Sequence, residues 1–291
     1  MQELTWGSRA WQEAHFPAEQ LETTGDTWGI RWRGVEKLRH ASYLRLLRDV
    51  LRRPEPLRVL DLGCALCDFT KKAAALNPAN QFWVTDTAAN AIAWVDRHCP
   101  DFISSVGTLP DIPFNVQFDV VLCLEVLCYL DRDGRRESIL AIQRRLRPSG
   151  VLLFSGVLNA GERYHAETEL LRLIGEAFDI EHVAYNHWRL YKRVLEQPLD
   201  RSAGVLGTIR RQLDLSQAEF ESRLPSRRSA ELVMRALRRT RPVSDGFLTG
   251  ATALVRWLLS LRLLAEVAQL LSGSTRGALR ADEIIILAKR K

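Results

Sequence analysis

The feature that most constrains this chain is an apolar run that ends on an acid and a glycine and gives way to a helical pattern: Arg58-Val59-Leu60-Asp61-Leu62-Gly63-Cys64-Ala65-Leu66-Cys67-Asp68-Phe69-Thr70. A buried parallel strand that feeds a helix through a glycine turn delivers a nucleotide-type ligand to the C-terminal edge of a sheet. Gly63 lets the backbone turn tightly and approach that ligand, and a helix from about Asp68 to Leu76 aims its first N–H groups the same way. A second apolar run, Gln81-Phe82-Trp83-Val84-Thr85-Asp86, also ends on an acid, placed to hydrogen-bond both hydroxyls of a ribose. Two strand–acid endings at this spacing favour a nucleoside site.

The same alternation continues downstream. Leu38, Leu44, Leu47 and Leu51 recur at helical spacing between about Arg33 and Leu51, and Pro54 and Pro56 stop that helix ahead of the first strand. Ala88 to His98 is expected to be a helix, Phe102 to Val106 and Phe118 to Leu124 strands, and Asp133 to Leu146 a helix whose arginines complement its C-terminus. Pro148-Ser149-Gly150 then turns the chain into a strand over Val151 to Val157, followed by a helix over Glu167 to Ala177 and a strand over Phe178 to Tyr185. A last strand falls within Asp282 to Lys291. Alternating strands and helices predict an α/β domain with a parallel sheet covered on both faces.

Four blocks resemble the class I S-adenosylmethionine-dependent methyltransferases, in a form similar to the NodS type that N-methylates the free amine of a chitooligosaccharide. They are Asp26-Thr27-Trp28 with Glu36-Lys37-Leu38-Arg39; Asp61-Leu62-Gly63-Cys64-Ala65; Phe118-Asp119-Val120-Val121-Leu122-Cys123-Leu124-Glu125-Val126-Leu127-Cys128-Tyr129-Leu130; and Leu146-Arg147-Pro148-Ser149-Gly150-Val151-Leu152-Leu153-Phe154. The likeness runs from about Asp26 to Arg193. It implies a Rossmann-like seven-stranded, mostly parallel sheet with helices on both faces, its last strand antiparallel beside the sixth, and S-adenosyl-L-methionine as cofactor. It also divides the chain into an N-terminal helical lid (1–56), a cofactor-binding core (57–194 and 281–291) and a helical insertion before the last strand (195–280).

The chain departs from the family at two places. The usual Gly-x-Gly-x-Gly loop is Gly63-Cys64-Ala65-Leu66-Cys67 here, so a Cys67 side chain is expected where backbone would pass the amino-acid end of the cofactor, to the cost of affinity. The acid that many relatives use for the adenine amino group should fall near Thr108 or Leu109, and Asp111 reaches that place only if the loop shifts.

Methyl transfer from a sulfonium is an in-line displacement, so a base is needed only where the nucleophile arrives protonated. Glu125, after the fourth strand, leads as the polar group of the cleft: it could bind an amine, orient the cofactor or accept a proton, or be a plain helix-start carboxylate. His165 is a second candidate base, with a surface loop residue as its alternative, and Tyr129 is a candidate for lining the acceptor cleft. On the cofactor side Trp28 is a candidate cap, with a core aromatic as its alternative, and Arg39 a candidate for the methionine carboxylate, with an exposed helical arginine as its alternative. Asp61 is expected to orient the loop, Gly63 and Ala65 to form it, and Asp86, Thr87, Thr108 and Glu125 to make further contacts. His182, His187, Trp188 and Tyr191 cluster near the end of the sixth strand without a spacing that demands a function.

Composition sets the outer bounds. A chain of 291 residues with 46% hydrophobic and 26% charged residues folds rather than staying disordered. Met1 to Trp6 carries no signal-peptide pattern, and five cysteines fit free thiols in a reducing compartment, which together predict a cytoplasmic protein. Cys64-Ala65-Leu66-Cys67 lacks the second pair a zinc site would need, so no metal is expected, and buried small residues are the plainer account of it than a redox dithiol.

The net charge of +6 concentrates between Arg201 and Arg241, where ten arginines meet four acids. Beside them Phe247 to Leu271 is apolar nearly all round, interrupted by Arg256, Arg262 and Glu266. The pair of features suits a solvated helical face and a buried or homodimer-forming helix. Alternatively, it suits contact of 201–271 with a lipid-linked substrate or the inner face of a membrane. No nucleic-acid-binding module is visible. The sequence therefore predicts a methyltransferase of a small-molecule or saccharide acceptor, an amino sugar or lipid-linked glycan included, with N or O methylation open. A non-catalytic interaction protein retaining the fold is the alternative. A nicotinamide-dependent oxidoreductase ranks lower, because Gly63-x-Ala65-x-x-Asp68 fails the dinucleotide fingerprint.

Overall fold

Strand residues alternate between two covered faces, and this alternation explains the architecture. A computed structural model of the chain describes residues 8–17, 33–158, 166–186 and 281–291, with further positions at 21, 26, 30–31, 250, 253–254, 257, 261, 266–267 and 269. Trp28, His165, His187, Trp188, Tyr191 and most of 195–280 lie outside the described residues.

The described elements run α1 (Arg9–His15), α2 (Gly34–Leu51), β1 (Arg58–Leu62), α3 (Asp68–Ala74), β2 (Gln81–Asp86), α4 (Ala89–His98), β3 (Ile103–Val106) and β4 (Phe118–Leu124). A 3₁₀ turn (Leu127–Tyr129), α5 (Arg132–Arg145), β5 (Leu146–Val157), α6 (Glu167–Ala177), β6 (Phe178–Asn186) and β7 (Glu283–Arg290) follow. On one face of the sheet Val59, Val120, Leu122, Val151, Leu153, Ile285 and Leu287 pack against Tyr43, Leu47 and Leu51 of α2 and Phe69 of α3. On the other, Leu60, Leu62, Val121, Leu152, Phe154, Ile284 and Ile286 pack against Ile139 and Ile142 of α5 and Leu170 and Ile174 of α6. The period of two along each strand, apolar on both faces, is what a buried sheet requires.

The seven strands are ordered β3-β2-β1-β4-β5-β7-β6. β1 pairs in parallel with β2 and with β4, so the chain winds outward through β2 and β3, then returns to start the other half at β4. The order reverses between β1 and β4, and ligands in such sheets sit beyond the C-terminal strand ends at that reversal. β7 is antiparallel to both β5 and β6 and lies between them, beside the sixth strand as expected. Its N-terminal residue Glu283 therefore reaches the same edge as the C-terminal ends of the parallel strands, opposite Val157 and Asn186.

One boundary differs from expectation. β5 begins at Leu146 rather than Val151, because Leu146 is buried and already paired with Phe118, while Arg147 meets Asp119 at 2.8 Å. The Pro148-Ser149-Gly150 segment is a bulge within the strand, with Ser149 at φ +61°, instead of a turn before it. No helix among the described residues is long and apolar enough to cross a membrane.

Candidate active site

The loop after β1 keeps the shape of a three-glycine turn with only one glycine. Gly63, Ala65 and Cys67 all have positive φ, at 73°, 47° and 58°. Left-handed backbone costs a residue with a Cβ roughly 1–2 kcal/mol, and each of the two substituted positions has a compensating contact. The N–H of Ala65 donates to Asp86 Oδ2 at 2.9 Å, and the N–H of Cys67 donates to Cys64 O at 2.8 Å. Gly63 and Cys64 both donate their N–H groups to Thr85 O, at 2.8 and 3.1 Å, which locks the loop to β2. A Cβ at Gly63 would stand 2.5 Å from Val126 Cγ2, so any other residue there must displace that side chain while keeping a left-handed φ.

Cys67 corrects the sequence expectation. Its side chain is fully buried among Leu66, Val84, Ala91, Val95 and Cys99, and it does not line the cavity. The left-handed residue just ahead of α3 aims its Cβ behind the loop, so the thiol fills core space and leaves the cofactor face clear. Cys67 hydrogen-bonds Cys64 on one side and Cys99 on the other, and all five cysteines are free and buried.

A cavity of about 360 Å³ opens over the reversal between β1 and β4, within the roughly 300–1,000 Å³ usual for small-molecule sites. It brings together Arg39, Gly63, Ala65, Asp86, Thr87, Thr108, Glu125 and Tyr129 of the residues expected from sequence. Asp86 ends β2 with each carboxylate oxygen accepting one backbone N–H, from Ala88 and from Ala65, both at 2.9 Å. A carboxylate has about four acceptor sites, so it retains capacity for two ribose hydroxyls. Burial holds Asp86 above the usual carboxylate range while these N–H groups pull it back. Thr87 and Thr108 meet hydroxyl to hydroxyl at 2.8 Å across the ends of β2 and β3.

The turn after β3 also differs from expectation. Asp111 N–H donates to Thr108 O at 2.8 Å, and this tight closure brings Asp111 onto the cavity wall beside Thr108 and Leu109. An acid is thus present near the place where relatives carry theirs. Asp61, in contrast, does not line the cavity: its Oδ2 accepts from Thr70 Oγ1 at 2.5 Å, pinning α3 to β1, and burial raises it to about 7 against the pull of that hydroxyl. His182 is exposed on β6 and lies away from the cavity.

Residues upstream of β1 close the cavity from above. Phe16 and Ile30 line it, and the Asp26 carboxylate holds the second by accepting from the N–H of Ile30 and of Arg31, at 2.7 and 3.2 Å. Arg31 Nε in turn meets Asp68 at 2.7 Å, joining this segment to the cofactor loop. Tyr129 lies on the 3₁₀ turn, its ring 5.7 Å from that of Trp11. Arg135 fixes that turn from α5 by donating to Leu127 O and Leu130 O at 3.0 and 2.9 Å.

The β4 side of the cavity is built from charges. Glu125 has φ +60°, an uncommon conformation for a residue with a long side chain, and its N–H donates to Ser155 O at 3.1 Å. Ser155 Oγ donates to Glu125 Oε1 at 3.1 Å. Arg39 lies on the wall with Glu36 Oε2 at 2.8 Å and Glu283 Oε1 at 3.5 Å. Burial raises the Glu125 carboxyl to about 8, with Glu283 adding to the rise and Arg39 opposing it. Glu283 and Tyr43 escape sequence reasoning, which looked for acids at the ends of strands. The available signal was Asp282-Glu283 at the start of a strand expected to be antiparallel, a position that reaches the same edge.

Residues 60–152 match the family described as a methyltransferase domain. A search of curated proteins gives no match. Among solved structures, the chain is similar to the N-methyltransferase NodS from Bradyrhizobium japonicum in complex with S-adenosylhomocysteine, at 24% identity over 60% of this chain and 90% of that one, with a TM-score of 0.49. It is also similar to a TehB-like SAM-dependent methyltransferase from Corynebacterium glutamicum, at 20% identity over 50% of this chain and 85% of that one, with a TM-score of 0.41. A methyltransferase domain is thus matched within residues 60–152, about a third of the chain, and the sequence resemblance implies S-adenosylmethionine as its cofactor. The cavity fits that cofactor on its own terms: Asp86 offers acceptors, Gly63 clears the wall, and the buried Thr85 Oγ1 on the cavity lining has no hydrogen-bond partner among the described residues.

Proposed function

We propose that the protein methylates a nitrogen or oxygen of a small-molecule or saccharide acceptor, with Glu125 taking the acceptor's proton. S-adenosylmethionine supplies an electrophilic methyl on a sulfonium. Asp86, Gly63, Ala65, Thr87, Thr108 and Arg39 hold the cofactor, Asp111 stands toward its base, and Tyr129 lines the acceptor's approach. The observation that carries this reading is Glu125 itself: a left-handed, half-buried carboxyl on the cavity wall, raised by desolvation to about 8. An ammonium must lose a proton before attack and most hydroxyls lose theirs during it, and a base that ionises near neutrality suits both. The sequence resemblance to the NodS type supports an amino sugar, or a lipid-linked glycan, as acceptor.

Glu125→Gln keeps size and hydrogen-bonding reach while removing the charge. Turnover should fall roughly 10²–10⁴-fold, the contribution of a positioned acid or base, with affinity for S-adenosylhomocysteine almost unchanged. Equal losses in both would move Glu125 to the cofactor, and undiminished turnover would end its role as base.

For residues 201–271 we propose a docking role toward a lipid-linked substrate or the inner membrane face, with a homodimer contact as the competing outcome. The arginine surplus supports it, as does the exposure of Leu254 and Trp257, at 56% and 57%. Flotation on anionic vesicles that salt weakens is the expected result. No binding to any vesicle, with a stable dimer in light scattering, would assign the segment to a protein interface.

A further inference from the structure

Glu283 is fully buried and lies just behind the cavity wall without lining it. Its Oε1 accepts from Tyr43 OH, its Oε2 accepts from Asn186 Nδ2 at 2.7 Å, and its carboxyl hydrogen-bonds that of Glu125. Ser155 Oγ stands 2.7 Å from Tyr43 OH and 3.1 Å from Glu125 Oε1. These four groups, drawn from the residue after β4, from β5, from β7 and from α2, form a closed ring that meets the cavity at Glu125.

Counting protons around the ring shows that it needs at least one from a carboxyl. Ionised carboxylates only accept, so the contact between Glu125 and Glu283 exists as a hydrogen bond only when one of them keeps a proton. The hydroxyls cannot supply it, because Ser155 and Tyr43 bring two protons to the three contacts of the chain Glu125–Ser155–Tyr43–Glu283. Charge points the same way: among the described residues, Arg39 stands in the midst of three acids, Glu36, Glu125 and Glu283. Two like charges in one buried site leave one of them neutral.

We propose that Glu283 is a positioning residue for Glu125: the two hold one proton between them, and the Glu283 charge sets the pH at which Glu125 becomes a free base for the acceptor. The inference rests on Glu125 as the proton acceptor. In the step it serves, the N–H or O–H bond of the acceptor breaks, an O–H bond forms on Glu125, and the acceptor keeps the electron pair with which it attacks the methyl. The proton then rests in the Glu125–Glu283 hydrogen bond until solvent removes it. The groups facing the pair are Arg39, Glu36 and Tyr43 from α2, Ser155 from β5, Cys128 from the 3₁₀ turn and Asn186 from β6. Arg39 favours ionisation of Glu125, and the neighbouring Glu283 carboxyl disfavours it.

Infrared difference titration of the full chain reads the shared proton directly and needs no acceptor. The wild-type protein should lose a protonated-carboxyl band with a midpoint of about 8, and Glu125→Gln should remove that titration. Glu283→Gln should move the midpoint down by about one pH unit or more, as expected when a like charge leaves a shared site, and Glu283→Asp should restore most of it. Tyr43→Phe removes a hydrogen bond to the Glu283 anion and should move the midpoint up, which keeps the test open if Glu283→Gln does not fold. A wild type without the band, or a midpoint unmoved in folded variants that bind S-adenosylhomocysteine normally, would overturn the proposal. Full turnover in Glu125→Gln alongside the expected midpoints would remove the catalytic reading instead, leaving the shared proton without that use.

Discussion

On the β1–β2–β3 side of the cleft the contacts are made by backbone groups close in sequence, with Gly63 and Cys64 on Thr85 and Ala65 on Asp86. On the β4–β5–β7 side Tyr43 reaches Ser155 and Glu283, separated from it by 112 and 240 residues, and the contacts that join Tyr43, Ser155, Glu125, Glu283 and Asn186 are chiefly between side chains. The first side tolerates alanine and cysteine where glycine is usual, because the carbonyl of Thr85 and the carboxylate of Asp86 hold its shape from outside the loop. The second tolerates little: a carboxyl that loses a partner in a buried site is left with its full desolvation cost. Changes on the first side should therefore register in cofactor affinity, and changes on the second in proton affinity and turnover.

The largest effect on binding should come from Gly63→Ala. The residue would keep an unfavourable φ of +73° and press a Cβ to 2.5 Å from Val126 Cγ2. Strain of this kind costs roughly 1–3 kcal/mol before the clash is added, so affinity for S-adenosylhomocysteine and Tm should both fall. Wild-type affinity would mean that the loop's backbone path does not matter to the cofactor. Asp86→Ala comes next, with affinity for S-adenosylhomocysteine weakened by about 1.5–3 kcal/mol, the range for hydrogen bonds to a charged group. It also releases the N–H groups of Ala65 and Ala88. A thermal melt run beside the calorimetry separates the lost ribose contact from a loosened loop.

A smaller effect appears in stability against pH. Burial raises Glu125 to about 8 in the folded protein, so between the ordinary glutamate range and that value the unfolded chain is ionised while the folded one keeps its proton. Stability from this group is full below that window, falls as pH rises through it, and levels off above. Glu125→Gln has no such loss, and its Tm relative to wild type should climb by a few degrees across the window. A difference that stays flat with pH would mean Glu125 is ionised throughout. The smallest effect is expected from Cys67→Ala, which should lower Tm through lost packing and leave cofactor affinity alone, since the thiol lies behind the loop. A large loss of affinity would bring that side chain back to the cofactor.

The contrast between the two sides also governs what the sequence revealed. Asp86, Gly63 and the strand ends were legible because each is announced by a local pattern, an apolar run followed by an acid or a glycine. Cys67 was misjudged because residue type does not say where a left-handed Cβ points. Asp111 waited on the closure of one turn onto Thr108, and the early start of β5 on the pairing of Leu146 with Phe118. Glu283 was illegible for a topological reason: only an antiparallel strand carries its first residue to the functional edge, and only the folded sheet sets it against Tyr43 and Glu125. Asp61, read as a loop-orienting residue, orients α3 through Thr70. Trp28 and His165 fall outside the described residues.

Calorimetry on the full chain with S-adenosylhomocysteine, in parallel with NAD, tests most directly that this cleft is a methyltransferase site divided between a cofactor side and a proton-handling side. Saturable binding of S-adenosylhomocysteine is expected, weakened in Asp86→Ala and retained in Glu125→Gln, with no binding of NAD. Binding of NAD in its place, or affinity for S-adenosylhomocysteine that survives Asp86→Ala and collapses in Glu125→Gln, would contradict it.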